Sequence, residues 1–115
     1  MIDQWLQDVK REYRDKELGM ILVHNGIVRA TSKDGKKVRG MNLSCDTEKL
    51  DALIRECQKK EGITAIRVWI NKGKLMVGDD IMYVLVAGRF RTDVLQVLGD
   101  LVYRLKNEVI KETEI

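Results

Sequence analysis

Residues 68–91, VWINKGKLMVGDDIMYVLVAGRFR, decide the fold of this chain. Val68, Trp69 and Ile70 close one apolar run and Ile81 to Ala87 form a second, with β-branched and aromatic residues at the density of buried strands. Gly73 and Gly78 punctuate the segment between them and supply turns. The second run passes through Gly88-Arg89-Phe90-Arg91 into Thr92-Asp93, which reads as a helix cap. Arg89 and Arg91 therefore stand where a strand ends and a helix begins, a place suited to binding anions.

Upstream of this stretch, Ile63 to Ile70 alternates as a strand, and Asp46-Thr47 caps a helix that runs to about Glu61 and stops at Gly62. Leu50, Leu53, Ile54 and Cys57 form that helix's apolar stripe, which makes Cys57 a core thiol. Met20 to Ala30 reads as a long strand bent at Asn25-Gly26. Asp34-Gly35 is the strongest hairpin signal, so Val38 to Cys45 is expected to return as the antiparallel neighbour of that strand. Residues 2–16 place Ile2, Trp5, Leu6, Val9 and Tyr13 at helical spacing. Downstream, Thr92 to about Glu108 carries Val94, Leu95, Leu98, Leu101, Val102, Leu105 and Val109 on a wide apolar face. Hairpins segregated from three helices argue an α+β fold, antiparallel sheet packed with helices, in one domain over residues 1–115.

Composition narrows the function classes. A net charge of +3 is too small to argue for nucleic acid by itself, and aromatic residues, 5% of the chain, do not interleave with a basic run as stacking platforms require. Neither a membrane-spanning apolar run nor a signal-peptide core is present, so a cytoplasmic protein is expected. Cys45 and Cys57 have neither CxxC spacing nor accompanying histidines, which argues against a metal site or a disulfide. His24, the lone histidine, reads as a packed or edge residue of its strand.

Arg29, Arg89, Arg91, Lys106 and Lys111 are the candidate site residues. Any single Arg or Lys is usually a solvated surface group. Here Arg29 closes a strand, Arg89 and Arg91 mark a strand-to-helix junction, and Lys106 borders the last apolar stripe. With the helix packed on the sheet, these side chains are expected to converge on one pocket that holds a phosphate and an acidic tail.

The order of Gly26-Ile27-Val28-Arg29, Gly73-Lys74-Leu75-Met76-Val77-Gly78-Asp79, the strand ending before Arg91, and Leu105-Lys106 on the last helix resembles the large, catalytic subunit of molybdopterin synthase. The resemblance runs from about Gly19 to Lys111. It implies a hammerhead-like α+β fold and a sulfurtransferase of molybdenum cofactor biosynthesis. In that family, sulfur passes from the thiocarboxylated Gly-Gly tail of a ubiquitin-like small subunit to cyclic pyranopterin monophosphate, twice, to build the dithiolene. Two large subunits form a central homodimer, a small subunit sits at each end of the heterotetramer, and no metal or cofactor is needed. By position, Arg29 and Arg91, with Arg89 beside them, match substrate-binding arginines, and Lys106 and Lys111 match catalytic lysines. Phe90-Arg91 and Ile70-Asn71 stand where the family has His-Arg pairs, and the segment Val109-Ile110-Lys111-Glu112 is shorter than its counterpart.

Two readings compete within the resemblance: an active large subunit, and a catalytically impaired relative that serves as a dimeric binding module for a ubiquitin-like partner. Lys106 and Lys111 pointing apart would favour the second. Unpaired sheet edges in so small a chain also lead us to expect a homodimer.

Overall fold

The computed structural model describes residues 1–115. The elements are α1 (Ile2–Glu12), β1 (Met20–Ile27), β2 (Gly40–Cys45), α2 (Thr47–Gln58), β3 (Ile63–Ile70), β4 (Gly73–Met76), β5 (Asp80–Gly88), α3 (Arg91–Arg104), a π-helical turn (Leu105–Val109) and β6 (Ile110–Glu114). They build two antiparallel three-stranded sheets, ordered β1-β5-β3 and β4-β2-β6. The molecule is elongated, 47 × 25 × 23 Å.

The opening stretch explains this division. β3 and β5 pair antiparallel with Ile70 opposite Met82, so the two apolar runs meet directly. The glycine-punctuated segment between them leaves the first sheet and lends β4 to the second, where Leu75 pairs with Met41. Gly73 and Gly78 both hold positive φ there, the left-handed region that glycine enters without a Cβ penalty. β5 is central and apolar on both sides because both its faces are covered. On one, Val9 of α1 packs fully buried against Ala65, Leu85 and Ala87, with Trp5 and Tyr13 alongside. On the other, Met82, Val84 and Val86 meet Val94, Leu101 and Leu105, in a core that continues through Cys57 of α2 to Met41, Leu43 and Leu75 of the second sheet. Each such aliphatic side chain, once buried, stabilises the fold by roughly 1.5–3 kcal/mol before its entropy cost is counted.

Several expectations are corrected. β1 and β2 are not neighbours: they lie in different sheets, and only an isolated bridge, Thr31 to Lys37, joins the arms of the Asp34-Gly35 turn. The turn forms, with Gly35 at φ 85°, but Val28 exchanges backbone hydrogen bonds with Gly78 and Asp79, which pulls the end of β1 toward the β4–β5 connection. β1 consequently ends at Ile27, not Ala30, and α1 ends at Glu12, not residue 16. Asp46 caps α2 as expected, accepting from the Lys49 amide at 3.1 Å. The cap of α3 is instead Phe90, in extended conformation and without a side-chain bond, because the Asp93 carboxylate is taken by Arg89. Beyond the last helix, Ile110–Glu114 forms an unanticipated strand on β2.

Candidate functional site

The five candidate residues occupy three places. Arg29 and Lys106 line one groove of about 580 Å³, with Ile27, Thr31, Ser32, Lys33, Asp34, Met41, Ile81, Glu112 and Glu114. Arg29 reaches it from just past β1, where its Nε donates to the Thr31 carbonyl at 2.8 Å and leaves the rest of the guanidinium for a ligand. Lys106 comes from the π-helical turn, which carries the chain from α3 toward β6. Both side chains are exposed. Arginine's planar fork and lysine's mobile ammonium together suit a polyoxygen anion.

The register of β6 decides where the carboxylates and Lys111 go. Glu112 and Glu114 pair with Leu43 and Met41, the buried residues of β2, so they share that face and border the Arg29–Lys106 groove. Lys111 pairs with the outward Ser44 and points to the other face, where it lines a separate groove with Asn42, Gly73, Lys74 and Thr113. Sequence periodicity missed this, because IKETE has too few apolar residues to announce a strand.

Arg89 and Arg91 stand at the far end of α3. Counting the helix between them, Arg91 and Lys106 are roughly 22 Å apart at 1.5 Å per residue. Arg89 is already engaged: Nε lies 3.0 Å from Asp93 Oδ2, a terminal nitrogen lies 3.1 Å from Glu61 Oε1, and the guanidinium stacks 4.8 Å from the Phe90 ring centre. Asp93 foremost, then Glu61, raise its pKa. The corner around it is tight, since a Cβ on Gly62 would strike Asp93 and Arg89, and one on Gly88 would strike the Gly62 carbonyl. Arg91, the first residue of α3, is exposed and makes no ion pair. At the other end of α3, Arg104 bridges Glu108, at 2.7 Å, and Glu56 of α2. Glu108, in turn, has its carboxyl held below the usual range by Arg104.

Comparison with known proteins bears on this arrangement. A protein from Methanocaldococcus jannaschii, uncharacterized protein MJ0717, is 33% identical over 99 residues, which cover 83% of this chain and 82% of that protein. Molybdopterin synthase from Staphylococcus aureus superposes with a TM-score of 0.77 at 22% identity, over 95% of this chain and 82% of that one. A protein–protein complex of subunits 1 and 2 of molybdopterin-converting factor from Helicobacter pylori superposes with a TM-score of 0.73 at 17% identity, over 98% and 77%. At such identities the superpositions establish the fold: three helices with two antiparallel sheets. The sequence model of the MoaE protein family matches residues 3–108. A match across nearly the whole chain, on the fold described above, places this chain in the MoaE protein family.

Proposed function

We propose that this protein is the large subunit of a molybdopterin synthase, acting in molybdenum cofactor biosynthesis: it holds cyclic pyranopterin monophosphate while sulfur is transferred to it from the thiocarboxylated tail of a ubiquitin-like small subunit. The observation that carries this reading is the shared groove of Arg29 and Lys106 in a chain of the MoaE family. The substrate phosphate and the thiocarboxylate are both anions, and fixed positive charge offsets their repulsion and stabilises charge that develops during transfer. Arg29 binds the phosphate through its free nitrogens. Lys106 stands beside the acyl carbon of the incoming tail and assists departure of sulfur from it.

Arg91 fits this reading as a substrate ligand only if a second copy supplies it, since it lies too far along α3 to meet Lys106 of its own chain. The proposed homodimer thus brings the two halves of a site together across a twofold axis. Arg89, locked between Asp93 and Glu61, holds the junction that presents Arg91.

The second reading, a dimeric binding module without turnover, draws support from Lys111, which faces away from the Arg29–Lys106 groove. Reconstitution separates the two. The protein is combined with a thiocarboxylated ubiquitin-like partner from the same organism and the cyclic substrate, and molybdopterin is measured. Conversion supports the synthase, a stable complex without conversion supports the binding module, and absence of any complex contradicts both.

A further inference from the structure

His24 is the chain's only histidine, and the packing of β1 leaves its polar edge unexplained. It alternates with Leu22 and Gly26 on the face of β1 that turns toward α3. Its Nε2 is shielded from solvent, yet no protein group hydrogen-bonds to it. Shielded polar atoms are nearly always paired, so an unpaired one needs a reason. Gly26 suggests what the reason is. A Cβ at that position would rest 3.5 Å from His24 Nε2 and 3.6 Å from both Ile81 Cβ and Met82 Cγ, ordinary contact distances. Gly26 puts no side chain against either Nε2 or Ile81, and Ile81 is itself a wall of the groove that holds Lys106.

The core on this side of β1 is apolar. β5 contributes Met82, Val84 and Val86 to it, and Leu98, Leu101 and Val102 of α3 pack in the same core. Lys106 is the one charge that acts on it.

We propose that His24 is a positioning residue for Lys106: with its proton on Nδ1, the imidazole accepts a hydrogen bond at Nε2 from the Lys106 ammonium, which approaches past Gly26, where no side chain stands in its way. The pairing itself needs only this chain; its consequence for rate rests on the sulfur-transfer reading above. A neutral imidazole can accept this bond, whereas an imidazolium cannot and repels the ammonium. Burial, and then the Lys106 charge, hold the His24 pKa below 6.5, so the accepting form prevails at neutral pH. The groove loses its fixed ammonium as the pH falls through that pKa.

A single histidine makes the test clean, since imidazole nitrogen NMR of the whole protein reports one ring. Wild type is expected to show the Nδ1-protonated tautomer with a depressed pKa, and Lys106→Met to raise that pKa and shift Nε2. Gly26→Ala, whose methyl fits without a clash, should abolish the response of Nε2 to Lys106→Met. An Nε2 signal and a pKa that do not respond to Lys106→Met overturn the pairing, whether or not the protein is an enzyme. In the molybdopterin assay, His24→Leu should lower kcat about tenfold to a hundredfold with KM unchanged. His24→Gln, which keeps an acceptor that does not titrate, should restore most of that rate and remove the acid limb of the pH profile. A His24→Leu protein as fast as wild type with the same acid limb overturns the role in catalysis. Wild type that never turns over defeats the synthase reading, while the NMR arm still decides the pairing.

Discussion

Lys106 shares its groove with Glu112 and Glu114, on the face of β6 turned away from Lys111. Two lysines five positions apart in sequence are thus divided by a strand whose side chains alternate between faces. Lys111→Ala is expected to leave turnover of the reconstituted complex within about threefold of wild type, the scale of a surface substitution. Loss of conversion comparable to removal of Lys106 would instead place both lysines at one reacting centre.

Arg29→Ala removes the fork that lines the groove from the end of β1. A charged hydrogen bond contributes about 1.5–3 kcal/mol, so substrate affinity should fall by roughly tenfold to a hundredfold. Titration calorimetry with the cyclic substrate reads this directly. Partner binding should be unaffected, and thermal stability nearly so, because the side chain is exposed and bonded only to the Thr31 carbonyl.

Arg91 and Lys106 lie at opposite ends of α3 and its π-helical turn, and a site that uses both must draw them from two chains. Arg91→Ala and Lys106→Ala homodimers should each be impaired. Exchange of subunits between them creates heterodimers in which one of the two sites is intact, and twofold symmetry sets the recovery at about a quarter of wild-type activity. Mixing without recovery, with exchange verified by mass spectrometry, would show that the two residues do not share a site.

The pH dependence of stability follows from His24. Its folded pKa lies below 6.5, chiefly through burial, so the unfolded chain binds a proton more readily and stability is lost as the pH falls through about 6.5. The loss levels off beneath the folded pKa. Asp80, lowered by its hydrogen bonds from Tyr83 and Asn25, acts only below its ordinary 3.8 and leaves this window clear. Calorimetric melting between pH 7.5 and 5 should show the decline in wild type and its absence in His24→Leu.

Much of the frame is written plainly in the residues. The apolar run Ile81–Ala87 marks the central strand because a strand covered on both faces has no polar alternation to obscure it, and Asp46 marks the start of α2 because its carboxylate has an orphan amide to bond. The pairing of β1 was not legible. Asp34-Gly35 makes a local turn correctly, but which sheet each arm joins is set by Val28 bonding to Gly78 and Asp79, fifty residues downstream. β6 was hidden for a different reason: only Ile110 is buried, and the strand is held by backbone bonds to β2, which leave no trace in side-chain periodicity. Without β6, neither the carboxylate border of the groove nor the separation of Lys111 from Lys106 could be foreseen. Of the five candidate residues, Arg29 and Lys106 meet in one groove, while Arg89 is committed to Asp93 and Glu61.

The groove's role stands most directly on one comparison, molybdopterin formed from the cyclic substrate and a thiocarboxylated ubiquitin-like partner by wild type and by Lys106→Ala. The side chain is exposed, so the variant should fold and bind the partner as wild type does. Its conversion should fall at least about a hundredfold, the scale on which removal of a charge-stabilising group slows a reaction. Conversion by Lys106→Ala at the wild-type rate would contradict the assignment of the Arg29–Lys106 groove as the site of sulfur transfer.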